Sequence, residues 1–287
     1  MRDTVIEASE AIMEVYEKDS FDHDIKSDGS PVTEADNRAN DIIIRSLQKI
    51  TPDIPIVSEE TFNKEEENPK GPYWLVDPLD GTREFINKSK EFTVNIALIE
   101  DAVPVFGIVG VPATGKIWSG SFFQRPSKIF KSINYFNQWS TDEDNKLSYA
   151  WSLLGGSKPD SIRIVMSKSH QTDVDRKFLQ FLEEKLIDGR PIKYSVVEKG
   201  SSLKLCALAD NEADIYPRFG PTCEWDIAAG HAYLIRKGGR VCQMSSGEHL
   251  AYSKKDTILN PSFVGFRNTY LKDRYMPLIS EFYKKLV

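Results

Sequence analysis

The chain is poor in cysteine and has no long apolar run. Its three cysteines, Cys206, Cys223 and Cys242, are odd in number and lack close paired spacing, so neither a disulfide framework nor a thiolate metal site is indicated. No stretch approaches the roughly 20 apolar residues that span a bilayer. Residues 1–18 have apolar positions at helical spacing, which predicts an amphipathic helix rather than a signal peptide. We therefore expect a cytoplasmic protein without a transmembrane segment, or one attached peripherally to the inner membrane.

Basic residues are also fewer than acidic ones, 37 against 43. The formal net charge is −6, whereas proteins that bind nucleic acid polymers present basic stripes, so we expect no such partner. A small anionic substrate is still compatible with this charge if a local pocket is basic. The absence of a Gly-x-x-x-x-Gly-Lys-Ser/Thr run disfavours a kinase or a P-loop ATPase.

What the chain does contain is enough apolar sequence for two cores. It has 287 residues, of which 40% are hydrophobic, and a single core stops growing near about 250 to 300 residues. Strand-like segments at 92–99, 103–111 and 116–121 predict an antiparallel meander, and a more polar stretch at 122–160 predicts edge strands and a linker. Alternating strand and helix signals follow. We predict an α+β domain over 1–155 and an α/β domain over 156–287.

Four acidic residues stand at the ends of strand or helix signals. Glu59 ends an apolar run, Asp77 and Asp80 flank a proline after another, and Asp226 begins a helix-like stretch. Element ends are where α/β sheets present ligands. Carboxylates about 4 Å apart repel by roughly 4 kcal/mol per pair at an effective dielectric of about 20, so such a cluster needs cations. Oxygen ligands without clustered His or Cys favour Mg²⁺, with Mn²⁺ as a substitute.

The same residues also have ordinary structural interpretations. Asp80-Gly81 is a common turn dipeptide, Asp226 fits a helix N-cap, and Glu59 fits a solvated loop acid. Asp36 ends the pattern Thr33-Glu34-Ala35-Asp36, which is a plain capping box. The metal site is favoured because all four acidic residues of the set occur at the ends of strand or helix signals.

Three cations in the second half, His170, Lys204 and Arg218, also stand at the ends of strand or helix signals. Ser201 or Ser202 would cap the helix that carries Lys204, and that helix start would offer N–H groups to an anion. An arginine could donate two bonds to a phosphate. Taken singly, each is equally well an idle surface charge.

Two segments, Asp77-Pro-Leu-Asp-Gly-Thr82 and Trp225-Asp-Ile-Ala-Ala-Gly230, resemble the signatures of the inositol monophosphatase superfamily. Within it, the chain is more similar to bacterial CysQ-type 3'(2'),5'-bisphosphate nucleotidases. The supporting stretches are residues 30–36, 52–60, 73–77, 84–85, 91–98, 167–170, 200–204 and 216–222. The resemblance implies the layered αβαβα fold of the sugar phosphatases, with an α+β and an α/β part and the site between them.

The resemblance also implies roles for individual residues. Two or three Mg²⁺ ions would be held by Glu59, Asp77, the Leu79 carbonyl, Asp80 and Asp226. Asp36 and Thr82 would prepare the attacking water, together with Glu59. The substrate would contact Asp80, Gly81, Thr82, His170, Ser201, Lys204, Arg218 and Asp226.

The implied reaction is removal of the 3'-phosphate of adenosine 3',5'-bisphosphate, giving AMP and phosphate, and extending to 3'-phosphoadenylyl sulfate, through attack by metal-activated water. An inositol monophosphatase or a sugar bisphosphatase would have the same metals and a different pocket. A non-catalytic nucleotide-binding relative would be expected to lack a metal ligand. The sequence leaves open whether the protein is a monomer or a homodimer.

The chain departs from the pattern of these nucleotidases in two places. Arg83 stands where lysine is common, and the 122–162 region is longer than expected.

Overall fold

The computed structural model describes residues 1–18, 23–25, 31–63, 69–121, 161–169, 171–253 and 257–286. In these ranges the helices are α1 (Arg2–Tyr16), α2 (Glu34–Ile50), α3 (Thr82–Ile86), α4 (Asp173–Glu183), α5 (Leu203–Ala209), α6 (Glu224–Arg236) and α7 (Thr269–Lys284), with a 3-10 turn at Glu59–Thr61. The strands are β1 (His23–Ile25), β2 (Pro31–Thr33), β3 (Ile56–Ser58), β4 (Tyr73–Asp80), β5 (Thr93–Glu100), β6 (Val103–Val111), β7 (Lys116–Ser121), β8 (Ile162–Ser167), β9 (Leu186–Ile187), β10 (Arg190–Pro191), β11 (Tyr194–Lys199), β12 (Ile215–Arg218), β13 (Arg240–Gln243) and β14 (Phe263–Phe266).

The first sheet has the strand order β3-β4-β5-β6-β7. β3 runs parallel to β4, and the pairs from β4 to β7 are antiparallel, so the predicted meander is confirmed. Both faces of this sheet are covered. Tyr73 and Leu75 belong to one hydrophobic cluster and Trp74 and Val76 to another, as the alternation of side chains along a strand requires. This double burial is why the strands appear in the sequence as nearly continuous apolar runs.

The second sheet has the order β11-β8-β12-β14-β13, with β11, β8 and β12 parallel and the remaining pairs antiparallel. α1 and α2 pack on the outer face of the first sheet, and α4 and α7 pack against the second. α5 and α6 contribute to the cluster that includes residues of both sheets. The layers are therefore α-β-α-β-α, which confirms the predicted fold class.

Helix α6 lies unusually close to the first sheet although it comes from the second half of the chain. A Cβ added to Gly107 would be 2.3 Å from the Ala229 carbonyl oxygen, and one added to Gly120 would be 2.7 Å from the Tyr233 Cα. Such distances exclude any larger side chain without a backbone shift. The glycines thus let α6 rest against strands β6 and β7, which brings its first turn to the end of β4.

Several local predictions are confirmed with small shifts of boundary. Thr33 caps α2, because its hydroxyl accepts the Ala35 N–H at 3.1 Å. β4 runs on to Asp80 instead of ending before the acidic residues, and strand β14 and helix α7 were not predicted. The edge strands and linker predicted at 122–160, and with them the predicted boundary at 155/156, lie outside the described residues. Within the described ranges, no helix has the length and apolarity needed to cross a bilayer.

Candidate active site

A cavity of about 310 Å³ opens at the carboxyl ends of β3, β4, β8 and β12. It is lined from the first half by Glu59, Asp77, Leu79, Asp80, Gly81 and Thr82, and from the second half by Ser201, Lys204, Arg218 and Asp226. Strands that end at one edge of a layered sheet place their following residues together. The four carboxylates singled out in the sequence therefore share one cavity with two of the three predicted cations.

The end of β4 is irregular, and the irregularity directs Asp77 and Asp80 toward the cavity. The pairing of β4 with β5 shifts register between Asp77 and Asp80, where Pro78 has no N–H to donate. The Leu79 N–H instead donates to Asp77 Oδ1 at 3.1 Å. Gly81 then adopts φ +91°, a left-handed conformation that favours glycine, and α3 begins at the next residue. As a result, Asp77 and Asp80 both line the cavity.

Asp226 is placed by the start of α6. The helix begins at Glu224 with Cys223 as its N-cap, and Asp226 is the third helical residue of a capping box. Its Oδ2 accepts the Cys223 N–H at 2.8 Å. The ordinary capping interpretation and the cavity position therefore hold together, although the cap itself is Cys223 and not Asp226.

The carboxylates of the cavity repel one another. Burial raises the pKa of Asp77 well above its usual range, and the negative charges of Glu59 and Asp80 raise it further. Burial likewise raises the pKa of Asp226, with Asp80 and Glu59 adding to the effect. An uncompensated set of like charges in a low dielectric is unfavourable. A bound divalent cation would remove this repulsion.

The donor set fits a hard cation in its chemistry, because it consists of carboxylate and carbonyl oxygens. Among the described residues, however, no three Asp, Glu, His or Cys side chains are oriented to hold a metal ion together. Two of the carboxylates are held by hydrogen bonds. Asp226 Oδ2 accepts from Cys223, and Asp80 Oδ2 accepts the Ser201 hydroxyl at 2.6 Å. These bonds use Oδ2 of each carboxylate, and the second oxygen of each could bind a cation.

Asp36 lies behind Thr82 and performs two tasks. Its Oδ2 accepts the Thr33 N–H at 2.7 Å and the Thr33 hydroxyl at 2.6 Å, which completes the capping box of α2. Its Oδ1 accepts the Thr82 hydroxyl at 3.1 Å. The capping role and the contact with Thr82 are therefore compatible, because they use different oxygens of a carboxylate that is 1% exposed.

The side-chain cap predicted for α5 from Ser201 or Ser202 is wrong. Ser202 occupies the N-cap position, but its side chain makes no capping bond. Instead, the hydroxyl oxygens of Ser201 and Ser202 lie within hydrogen-bond distance of Asp80 Oδ2, at 2.6 and 2.9 Å. Ser202 Oγ accepts the Asn95 amide at 2.8 Å instead of a backbone N–H of α5. The serines thus tie the second half of the chain to the end of β4.

Lys204 and Arg218 are the two predicted cations that line the cavity. Lys204 is buried in α5, and its ammonium donates to the Ser201 carbonyl. Arg218 ends β12, donates from Nη2 to the Pro221 carbonyl at 3.0 Å, and has a buried Nε that lacks a hydrogen-bond partner among the described residues. His170 lies outside the described residues.

Sequence reasoning missed two buried polar residues near the cavity. Glu84 lines the cavity and accepts a hydrogen bond from the Ser169 hydroxyl. Asn95 lies in β5 opposite Asp77 and donates to Ser202 Oγ at 2.8 Å. A lone asparagine within the apolar run of β5 was the signal that could have identified the second, because a buried amide needs a polar neighbour.

Comparison with known proteins places this arrangement in a family. The sequence pattern of the inositol monophosphatase family matches residues 2–281. The 3'(2'),5'-bisphosphate nucleotidase CysQ of Salmonella typhimurium is 38% identical over 266 residues, covering 89% of this chain and 94% of that protein. The CysQ of Buchnera aphidicola is 39% identical over 249 residues, covering 86% of this chain and 83% of that protein. The crystal structure of CysQ from Bacteroides thetaiotaomicron superposes with a TM-score of 0.70 at 32% identity, covering 92% of this chain and 94% of that one. The match over nearly the whole length means that this chain belongs to the inositol monophosphatase family.

Proposed function

We propose that this protein is a magnesium-dependent phosphatase that removes the 3'-phosphate of adenosine 3',5'-bisphosphate, giving AMP and phosphate. One observation carries the proposal: a single cavity combines a cluster of four carboxylates, of which Asp77 is buried, with the buried Lys204 and the half-buried Arg218. The first set suits a hard metal ion, and the second suits a phosphate beyond the one that reacts. The name of the relatives from Salmonella typhimurium and Buchnera aphidicola, 3'(2'),5'-bisphosphate nucleotidase, supports the same substrate class.

The residues that would hold Mg²⁺ are Glu59, Asp77, the Leu79 carbonyl and Asp80, with Asp226 completing a further position. Bound there, the metal would act as a Lewis acid toward the phosphoryl oxygens and would stabilise charge on the leaving oxygen. We propose two or three ions, with Mn²⁺ able to replace Mg²⁺. The mutual repulsion of Asp77 and Asp226 with their neighbours supports this assignment, because it makes the cavity attractive to cations.

Thr82 and Asp36 would orient the attacking water. The Thr82 hydroxyl has one proton and two acceptors within reach, Asp36 Oδ1 at 3.1 Å and the Leu79 carbonyl at 3.3 Å, so its oxygen lone pairs are available to a hydrogen-bond donor. Such an oxygen accepts a hydrogen bond from water. Asp36 is itself held by the cap of α2, which keeps Thr82 in one orientation. Glu59, which lines the same cavity, would accept the second hydrogen of that water.

Lys204 and Arg218 would bind the second phosphate. The buried Nε of Arg218 lacks a partner among the described residues, and a buried donor without an acceptor is unfavourable unless a ligand supplies one. A phosphate oxygen would satisfy it, and a guanidinium can donate to two phosphate oxygens at once. Gly81, Thr82 and Ser201 would line the phosphate that reacts. His170 is proposed for the same pocket on the resemblance alone.

The test is a phosphate-release panel with Mg²⁺, using adenosine 3',5'-bisphosphate, 3'-phosphoadenylyl sulfate, an inositol monophosphate and a sugar bisphosphate. We expect the highest kcat/KM on the nucleotide bisphosphate, with 5'-AMP identified as product by ³¹P NMR. The Asp80→Asn variant, prepared in parallel, controls for contaminating phosphatases. A clear preference for the inositol or the sugar phosphate would reassign the substrate. Absence of phosphate release from all four would favour a non-catalytic relative.

A further inference from the structure

The Ser202 side chain joins three segments of the site without lining the cavity. It is 4% exposed, and its Oγ is 2.9 Å from Asp80 Oδ2 at the end of β4. The same oxygen contacts the backbone carbonyl of Asp226 in the first turn of α6. It also accepts the Asn95 amide at 2.8 Å from β5. One hydroxyl therefore touches both of the segments that bring Asp80 and Asp226 to the cavity.

The direction of the Ser202 hydroxyl is set by Asn95. Asn95 Nδ2 donates to the serine oxygen, so the single hydroxyl proton of Ser202 is left to point to Asp80 or to the Asp226 carbonyl. Asn95 is 1% exposed, and its Oδ1 has no hydrogen-bond partner among the described residues. The amide nitrogen is thus the functional end of this side chain. It lies 3.5 Å from Asp80 Oδ2 as well.

A second hydroxyl pair supports the same oxygen of Asp80. Ser201 Oγ lies 2.6 Å from Asp80 Oδ2 and 2.6 Å from the hydroxyl of the buried Thr93 in β5. Asp80 Oδ2 is consequently held from two sides by residues that come about 120 positions later in the chain. The carboxylate is oriented before any ligand arrives.

We infer that Ser202 and Asn95 are positioning residues that set Asp80 relative to the start of α6, so that affinity for the divalent cation depends on two side chains that do not line the cavity. This inference rests on the proposed function for its cation. Outer partners of metal ligands typically change metal affinity or activity by about 10- to 100-fold when they are removed. Asn95 acts through Ser202, and the two effects should therefore not add.

The experiment measures Mn²⁺ binding by isothermal titration calorimetry on Ser202→Ala, Asn95→Leu and the double variant. Leucine has nearly the shape of asparagine and removes only the amide bonds, because Oδ1 already has no partner among the described residues. Ser280→Ala is the matched control, since its hydroxyl also donates to one backbone carbonyl, that of Met244, away from the cavity. We expect the Kd for Mn²⁺ to rise about tenfold or more in each single variant. The double variant should resemble Ser202→Ala, and the control should match the wild type.

The same variants are then assayed for phosphate release at varied Mg²⁺. The concentration of Mg²⁺ for half-maximal rate should rise in parallel with the Kd, while thermal melts stay cooperative. Wild-type Mn²⁺ affinity in both single variants would overturn the inference, as would strictly additive effects in the double variant. If Ser202→Ala fails to fold, Asn95→Leu decides alone. If the wild type binds Mn²⁺ but releases no phosphate, the proposed function fails, and the calorimetric comparison still decides this inference.

Discussion

Lys204 provides the sharpest test of the proposed pocket, because its position lowers the stability of the protein. It is 8% exposed, and its ammonium lies 5.7 Å from the centre of the Tyr216 ring. Burial lowers its pKa from 10.5 to about 8; Arg218 lowers it too, while Asp80 raises it. The difference between those values corresponds to about 3 kcal/mol that disfavours the buried charge. The charge of Lys204 therefore lowers the stability of the folded protein.

The sign of this effect follows from the lowered pKa. Below pH 8 the lysine is charged in both the folded and the unfolded chain, so the full penalty applies at neutral pH. The penalty disappears as the pH rises from about 8 to 10.5, where the folded protein has already lost the proton. A neutral side chain of similar shape would avoid it. Lys204→Met should thus leave the free energy of unfolding unchanged or raise it by up to about 3 kcal/mol.

The catalytic efficiency of Lys204→Met should fall, although its stability is unchanged or higher. A charge-assisted bond to phosphate contributes about 2 kcal/mol, which corresponds to about a 30-fold change in kcat/KM. We expect Lys204→Met to lower kcat/KM on adenosine 3',5'-bisphosphate by at least that factor relative to adenosine 3'-monophosphate, which lacks the second phosphate. Both substrates are assayed at pH 7 with saturating Mg²⁺. Stability is measured by urea denaturation without substrate.

Lys185→Met is the matched control. Lys185 is half-buried, pairs with Glu281 at 2.6 Å and lies 4.6 Å from the Phe181 ring centre, remote from the cavity. Its replacement should lower stability and leave the substrate ratio unchanged. Equal loss on both substrates in Lys204→Met, or a drop in stability with an unchanged ratio, would refute the assignment of Lys204 to the second phosphate.

Four further predictions test the metal site, the water-orienting pair and the core. Phosphate release should stop in excess chelator and return with Mg²⁺; activity that persists in chelator would remove the metal from the mechanism. Asp80→Asn should lower kcat by orders of magnitude with cooperative melting retained, and an unchanged rate would assign the end of β4 to structure alone. Thr82→Val, which removes the hydroxyl that reaches Asp36, should lower kcat about 100-fold or more with little change in KM, whereas Thr82→Ser should recover most of the rate. Burial lowers the pKa of His231 from 6.5 to about 3, so the unfolded chain binds the extra proton first and stability falls as the pH drops below 6.5, by about 2 kcal/mol at pH 5; thermal melts of His231→Gln should show a shallower decline, and parallel curves would contradict this.

Much of the fold was predictable because its signals are local. The amphipathic pattern of α1, the Thr33 cap of α2 and the apolar runs of β4 to β6 depend on side-chain periodicity and on hydrogen bonds within a few residues. The continuation of β4 to Asp80 was not predictable in this way. Proline within a strand normally indicates its end, and here the register shift opposite β5 accommodates it.

The candidate site was predictable in its chemistry and less so in its connections. Carboxylates at element ends indicated an oxygen-ligand metal site, and Lys204 and Arg218 indicated an anion pocket, because residue type decides charge and ligand preference. The side-chain cap predicted from Ser201 or Ser202 was wrong. A serine before a helix has the same local pattern whether it caps the helix or donates to an aspartate of another sheet.

The sequence by itself therefore determined most of the elements, the set of acidic and basic groups, and the family. Only the tertiary structure decided that α6 rests on the first sheet, that Asp36 serves both Thr33 and Thr82, and that Asn95 reaches Asp80 through Ser202. The physical reason is distance along the chain. Contacts such as that between Asp80 and Ser202 join residues more than 100 positions apart, and they form only when packed layers bring separate strand ends together.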